Sequence, residues 1–172
     1  MPDAYLDSSA LVKRYVQEPG TTAVDIIFDN ASVGAVAIAT SVWNIGEALG
    51  VLDYRRRRRL LTEHEFHLAT QNLTSEVLKL MRDRVMQVYP VRTALLTQAW
   101  AIVLTQHLYQ ADALQIVTCN ESKSKVLITS DQMLQRASDV LGLKALDPDG
   151  QEGEIRDLFG QTADSMASSN PR

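Results

Sequence analysis

Short apolar runs alternate along this chain with longer segments in which apolar residues recur every three or four positions. The runs AYL, SVGAVAIA, VMQVYPV and KVLIT are typical of buried strands, and LKAL is a candidate for a last short strand. The segments between them have helical periodicity, and the longest begins with Thr62 and Glu65 in the pattern of a capping box. This alternation predicts an α/β fold, a three-layer α/β/α sandwich with a central parallel sheet of four to five short strands.

The length and the C-terminal composition predict one domain followed by an extension. At 172 residues the chain has the size of a single domain. After Asp147 the composition changes to DPDGQEGE, and the chain ends in SMASSNPR. We therefore expect a domain over residues 1–149 and a flexible extension over residues 150–172, with one turn of helix at EIRDLF.

Composition and charge narrow the class of protein. Hydrophobic residues make up 45% of the chain and charged residues 22%, which is the balance of a globular protein. The net charge of −4 argues against nucleic-acid binding through overall positive charge, so such binding would need a local patch. No signal peptide or membrane-spanning run is visible, and we expect a cytoplasmic protein. Cys119 is the only cysteine, which excludes a four-thiolate metal site.

Four acidic residues occupy positions that this fold would bring to one edge of the sheet. Asp7 and Asp131 lie just past the first and fourth strands, while Glu47 and Asp112 lie early in the helices after the second strand and before the fourth. Ligands of such sheets bind beyond the carboxyl ends of the strands. Each acid alone could be a helix cap or a solvated helix residue. Because the local sequences of Asp7, Glu47 and Asp112 are largely apolar, we interpret the four acids together as a cluster.

Carboxylates that converge need a compensating charge. Two of them about 5 Å apart repel by roughly 3 kcal/mol at an effective dielectric constant near 20, so a group of them either protonates or binds a cation. Oxygen ligands favour Mg²⁺, for which Mn²⁺ can substitute, and such an ion can activate water for phosphodiester hydrolysis. We expect Asp7 and Asp112 to contact the metal directly. Hydroxyl groups that could orient ligands or water, although they are also ordinary caps, belong to Ser8, Ser9, Thr129 and Ser130.

The segments that carry these residues resemble the four conserved blocks of the PIN domain family, and especially of its VapC-type toxins. The segments are YLDSSALVKRY, SVWNIGEALGVL, ADALQIVTC and LITSDQML, and the likeness extends from Ala4 to Pro148. The acidic positions of the family fall on Asp7, Glu47, Asp112 and Asp131. The resemblance implies a Mg²⁺-dependent endoribonuclease that cuts RNA, forms a homodimer and is inhibited by a small VapB-like antitoxin. After DAL, Gln115 and Val117 stand where many relatives have His and a small Ala.

Five consecutive arginines, Arg55 to Arg59, provide the one local concentration of positive charge. At 100° per residue they surround a helix, so the run is either a solvated helix end, favoured by the helix dipole, or a contact for phosphates. We predict that Arg56 and Arg57 contact RNA.

Other functional classes explain the sequence less well or stay open. A non-catalytic PIN-like module that binds RNA or protein stays the alternative to a nuclease. A phosphoacceptor domain would need an aspartate at the end of the third strand, and VMQVYPV has none. A haloacid-dehalogenase-type phosphatase is disfavoured because Ser9 stands where its second aspartate belongs.

Overall fold

The computed structural model describes residues 3–160, which form a five-stranded parallel sheet. The strands are β1 (Ala4–Leu6), β2 (Ile38–Ser41), β3 (Met86–Tyr89), β4 (Val126–Ile128) and β5 (Ala145–Leu146). Their order in the sheet is β3-β2-β1-β4-β5, and every neighbouring pair is parallel. The central strand β1 therefore has β2 on one side and β4 on the other. The predicted fold class is confirmed, and the structure pairs the first strand with the fourth.

Eight helices connect and follow the strands in the described part of the chain. They are α1 (Ser8–Lys13), α2 (Thr21–Ser32), α3 (Val42–Arg57), α4 (Glu63–Arg82), α5 (Thr93–Gln106), α6 (Gln110–Ser122), α7 (Gln132–Val140) and α8 (Glu152–Phe159). The predicted capping box opens α4, since Thr62 Oγ1 accepts a hydrogen bond from the Glu65 backbone N–H and the Glu65 carboxylate accepts one from the Thr62 backbone N–H. Among residues 3–160, no helix combines the length and the apolar character needed to span a bilayer.

The core has two halves because successive strand residues point to opposite faces of the sheet. On one face, Leu6 of β1 packs with Phe28 and Leu52 from the helices that cover that side. On the other face, Tyr5 packs with Leu114 of α6. All five side chains are almost completely buried, and each contributes about 1.5–3 kcal/mol of hydrophobic stabilisation. Burial on both faces explains why the strands read as nearly continuous apolar runs.

The second strand is shorter than its apolar run. SVGAVAIA predicts a strand from Ser32, but α2 continues to Ser32 and pairing with β1 begins only at Ile38. Between them Gly34 has φ +79°, and the backbone N–H of Ala35 donates to the carbonyl of Asn30. The apolar residues at the start of the run therefore form the turn that reverses the chain after α2, and the predicted start of this strand is wrong by six residues.

The segment assigned to a C-terminal extension begins with a packed helix. Residues 152–159 form α8, and Ile155 and Phe159 are buried in the core on the side of α2. These two side chains are four positions apart and lie on one helix face, so the whole helix can be held by one apolar stripe. A single turn was therefore too short a prediction for this segment. The rest of the predicted extension lies outside the described residues.

Candidate active site

Asp7 is a buried carboxylate at the point where β1 ends and α1 begins. It is 5% exposed, and its side chain caps α1. Oδ1 accepts hydrogen bonds from the Ala10 backbone N–H at 2.9 Å and from Ser9 Oγ at 2.7 Å, and Oδ2 accepts one from Thr129 Oγ1 at 2.6 Å. Burial raises the pKa of Asp7, the three hydrogen bonds oppose that rise, and the charge of Asp131 adds to it. The three donors fix the orientation of this carboxylate and leave about one of its four lone pairs uncommitted.

Two hydroxyl groups join the loops that carry Asp7 and Asp131. Ser9 Oγ donates to Asp7 and accepts from the Ser130 backbone N–H at 2.9 Å. Thr129 Oγ1 donates to Asp7 and accepts from the Asp131 backbone N–H at 3.0 Å. Each hydroxyl acts once as donor and once as acceptor, so the ends of β1 and β4 are held in register beyond their last backbone hydrogen bonds.

Asp131 caps α7 with one of its oxygens. Oδ1 accepts hydrogen bonds from the backbone N–H groups of Met133 at 2.7 Å and Leu134 at 3.0 Å. Oδ2 takes no part in these cap hydrogen bonds, so it is the oxygen through which Asp131 can act on a ligand.

The remaining predicted hydroxyls serve other contacts. Ser130 Oγ donates to Asp147 Oδ1 at 3.2 Å, and Ser8 is the half-buried first residue of α1. Asp147 directly follows β5, at the same edge of the sheet as Asp7 and Asp131. Asp147 is not among the predicted acids, although the pattern that selected Asp7 and Asp131, an acid just past an apolar strand, applies to it equally.

Asp112 lies in the first turn of α6 and is surrounded by the other acids. Its pKa is raised to about 6, first because the carboxyl is partly buried and then because the charges of Asp131, Glu47 and Asp7 oppose its ionisation. Like charges have such an effect only over short distances. The structure therefore brings the four predicted acids together, from β1, α3, α6 and the start of α7.

Glu47 reaches this cluster from the second turn of α3. The N-cap of this helix is Ser41, whose side chain accepts a hydrogen bond from the Asn44 backbone N–H at 3.2 Å. Glu47 is half-buried and lines a shallow apolar depression together with Trp43 and Val91. One side of the acidic cluster is thus bordered by an exposed aromatic side chain.

The chemistry of these donors fits a divalent cation. Within residues 3–160, no group of three or more His, Cys, Asp and Glu side chains is arranged so that it could hold a metal ion. Mg²⁺ does not require one, because it keeps several water molecules and binds proteins through one or two carboxylates. The repulsion that raises the pKa of Asp112 is the interaction that a bound cation would relieve. The oxygen donors of Asp7, Glu47, Asp112 and Asp131 therefore suit Mg²⁺ or Mn²⁺ completed by water.

The arginines that we predict to contact RNA lie at the other end of α3. Arg56 forms ion pairs with Asp53 at 2.8 Å and with Glu63 at 3.1 Å, and Arg57 forms one with Asp53 at 2.9 Å. Ten helical residues separate Arg57 from Glu47, which corresponds to about 15 Å along the helix. Neighbouring carboxylates thus offset part of this positive charge, and the contact with RNA stays a prediction.

Comparisons with known proteins agree with this architecture. The family model described as PIN domain matches residues 4–140, which is most of the chain and confirms the resemblance. Among curated proteins, no sequence matches significantly.

Solved structures with a similar fold come from an archaeon and two bacteria. PAE2754 from Pyrobaculum aerophilum is 20% identical with a TM-score of 0.64, and the alignment covers 93% of this chain and 97% of that one. FitAcB from Neisseria gonorrhoeae is 16% identical with a TM-score of 0.60, covering 84% and 97%. VapC20 of Mycobacterium tuberculosis, described as a toxin that cleaves the sarcin-ricin loop, is 13% identical with a TM-score of 0.57, covering 78% and 95%.

Proposed function

The chain belongs to the PIN domain family, and on that premise we propose that it is a Mg²⁺-dependent endoribonuclease, the toxin of a VapBC-type toxin–antitoxin pair. One observation carries the nuclease part of this proposal. The charges of Asp131, Glu47 and Asp7 all act on Asp112 and help raise its pKa to about 6, as expected for acids grouped to hold a cation. The choice of RNA as substrate rests on the resemblance to VapC-type toxins.

The acidic cluster would hold the metal, and hydrogen bonds fix the carboxylates of two of its residues. A divalent ion bound there activates water for attack on a phosphodiester and offsets the negative charge of the phosphate. Asp7 is held by three hydrogen-bond donors, so its geometry is set before a ligand arrives. Asp131 is anchored by the first turn of α7 through Oδ1, and Oδ2 takes no part in these cap hydrogen bonds.

The same cluster makes RNA binding depend on the cation. Four carboxylates at one edge of a chain whose net charge is −4 repel a polyanion. A divalent ion held at this edge would offset part of the local repulsion and bind phosphate oxygens directly, so RNA should bind productively only when metal is present. In our proposal this dependence replaces the basic surface that many RNA-binding proteins use.

The homodimer and the antitoxin are also part of the proposal. Exposed apolar side chains support the homodimer. Trp43 of α3 and Trp100 and Leu104 of α5 are 44%, 58% and 74% exposed, and Trp100 and Leu104 lie one turn apart on the same helix face. Exposed apolar residues of this size favour burial against a second copy. The VapB-like antitoxin and a cytoplasmic location rest on the resemblance alone.

Cleavage of a defined RNA tests the proposal. We expect the purified protein to cut RNA with Mg²⁺ and to stop when a chelator is added. Asp7→Asn should abolish cleavage while leaving the fold intact. Asp3→Asn is the matched control, because Asp3 lies just before β1 at its opposite end, where it bonds the Ala37 backbone N–H and Lys125.

Two results would overturn the proposal. Cleavage by Asp7→Asn at the wild-type rate would remove the acidic cluster from the reaction. Metal-independent RNA binding without cleavage would favour the alternative, a non-catalytic PIN-like module that binds RNA or protein.

A further inference from the structure

A chain of buried hydrogen bonds lies beneath the acids and crosses from α3 to α6. Asn44 Nδ2 donates to Tyr5 Oη at 3.2 Å, and Tyr5 Oη donates to Gln115 Oε1 at 2.9 Å. Asn44 and Tyr5 are fully buried, and Gln115 is 2% exposed. Burial also raises the pKa of Tyr5, so its hydroxyl keeps the proton that it donates. These three residues, which we call the buried polar chain, join β1, α3 and α6.

The buried polar chain also holds the backbone directly before Asp7. The carbonyl oxygen of Leu6 accepts hydrogen bonds from Thr40 Oγ1 at 2.8 Å and from Asn44 Nδ2 at 3.0 Å. On this flank the register of β1 with β2 pairs only Ala4 and Tyr5, whereas on the other flank the register with β4 includes Leu6. On the β2 side, side-chain hydrogen bonds therefore hold the backbone of Leu6, which strand pairing holds on the β4 side. They fix the start of the loop that carries Asp7.

Each member of the buried polar chain is close in sequence to one of the acids. Asn44 precedes Glu47 by three residues, Gln115 follows Asp112 by three, and Tyr5 precedes Asp7 by two. Residues three apart on a helix lie on the same side, and residues two apart on a strand point to the same face. Three of the four acids thus lie two or three residues from a member of the buried polar chain, and the members of that chain are joined by hydrogen bonds.

The contacts of Asn44 leave its own side-chain oxygen without a hydrogen bond. Because a carbonyl such as that of Leu6 can only accept, the amide nitrogen must face it, and this fixes the orientation of the side chain. Asn44 Oδ1 is then buried without a hydrogen-bond partner among residues 3–160. An unsatisfied buried acceptor lowers the stability of the folded state, so the arrangement gives up stability for a defined geometry.

From these contacts we infer that Tyr5, Asn44 and Gln115 are positioning residues, which fix Asp7, Glu47 and Asp112 at the mutual distances that bind the metal. The inference rests on the proposed function, since it assigns these residues a part in the same site. Gln115 is one of the positions where this chain departs from many relatives, and here it supplies the acceptor for the Tyr5 hydroxyl.

Tyr5→Phe and Gln115→Met test the inference, because each removes one hydrogen-bonding group and keeps most of the side-chain volume. The primary measurement is Mn²⁺ binding, followed as the loss of the electron paramagnetic resonance signal of free Mn²⁺ at a temperature where thermal melts show the variant folded. We expect the dissociation constant to rise about tenfold in either variant. The double variant should lose little more than each single variant, since both break the same hydrogen bond.

A matched control separates positioning from simple loss of a buried hydroxyl. Tyr15 is a half-buried tyrosine whose hydroxyl is buried, but it lies beyond the end of α1, where its ring packs against Phe28. We expect Tyr15→Phe to bind Mn²⁺ as the wild type does, and single-turnover cleavage by Tyr5→Phe to slow about tenfold with KM nearly unchanged.

The outcomes distinguish the two proposals. If Tyr5→Phe and Gln115→Met bind Mn²⁺ as tightly as the wild type, or lose binding only in proportion to the unfolded fraction, the positioning role is overturned while the nuclease proposal stands. If the wild type itself binds no Mn²⁺ and cuts no RNA, the proposed function fails first.

Discussion

Thr129 Oγ1 donates a 2.6 Å hydrogen bond to Asp7 Oδ2 across 122 positions of sequence, and the same oxygen accepts one from the backbone N–H of Asp131. One fully buried hydroxyl thus contacts two of the four acids. Its two bonds make the loops after β1 and β4 a single unit, so the geometry of the site depends on a residue that need not touch a ligand.

Replacing Thr129 with Val should destabilise the protein and weaken the site together. The substitution leaves a buried carboxylate oxygen of Asp7 and the Asp131 backbone N–H without this partner, at a cost of about 1–3 kcal/mol in the free energy of unfolding. Thr129→Ser keeps the hydroxyl and should recover most of the loss. Urea denaturation measures both variants, and a Val variant as stable as the wild type would show that the bond contributes nothing.

Asp112→Asn should stabilise the metal-free protein at neutral pH. The pKa of Asp112 is raised from 3.8 to about 6, by burial first and by the neighbouring acids next. Its ionisation therefore costs more in the folded than in the unfolded state, and this penalty is absent below pH 3.8, grows up to about pH 6 and is complete above it. After allowance for solvent screening of a half-exposed group, we expect Asn to gain about 1 kcal/mol at neutral pH.

The measurement is the free energy of unfolding of Asp112→Asn and of the wild type, in the presence of a chelator, at pH 7.5 and at pH 4.5. The advantage of Asp112→Asn should be large at the first pH and small at the second. An equal advantage at both values would contradict the origin of the effect in like-charge repulsion and burial.

Gly20 should tolerate alanine less well than Gly142 does. Both have positive φ, +85° and +73°, which costs any other residue about 1–2 kcal/mol. A Cβ on Gly20 would in addition lie 2.9 Å from the backbone of Pro148 and Asp149, whereas a Cβ on Gly142 meets nothing within 4 Å. Thermal melts should therefore show a greater loss for Gly20→Ala, and equal losses would mean that the contact with the segment before α8 is easily displaced.

Arg57 and Arg56 should differ in their effect on RNA binding. The side chain of Arg57 is 64% exposed with one carboxylate partner, while that of Arg56 is 34% exposed with two. If the run contacts phosphates, Arg57→Ala should reduce the slope of log affinity against log salt by about one, and Arg56→Ala should reduce it less. An unchanged slope in both variants would remove this end of α3 from the RNA contact.

Much of the architecture could be predicted from sequence because local and tertiary preferences agree. The strands at AYL and KVLIT are buried on both faces, VMQVYPV is mostly apolar, and the capping box at Thr62 marks the start of α4. The failure at SVGAVAIA has a physical cause, since apolar residues in a turn look the same as apolar residues in a strand. At α8, two buried side chains in an otherwise polar segment gave too weak a periodic signal.

The acids could also be predicted, since the ends of parallel strands meet at one edge, but the residues that hold them could not. In the sequence, Tyr5 is typical of a core residue and Asn44 of an ordinary helix residue. Gln115 differs only in being a departure from many relatives. Their hydrogen bonds connect positions 39 and 110 residues apart. Pairings over such distances depend on the exact packing of three elements, which no local pattern encodes.

The central claim is that Asp7, Glu47, Asp112 and Asp131 act as one cation site, and a Mn²⁺ titration followed by electron paramagnetic resonance tests it most directly. We predict saturable binding of at least one ion per wild-type chain, lost in Asp7→Asn and in Asp112→Asn and kept in Asp3→Asn. Absence of binding to the wild type, or equal affinity in Asp112→Asn, would contradict it.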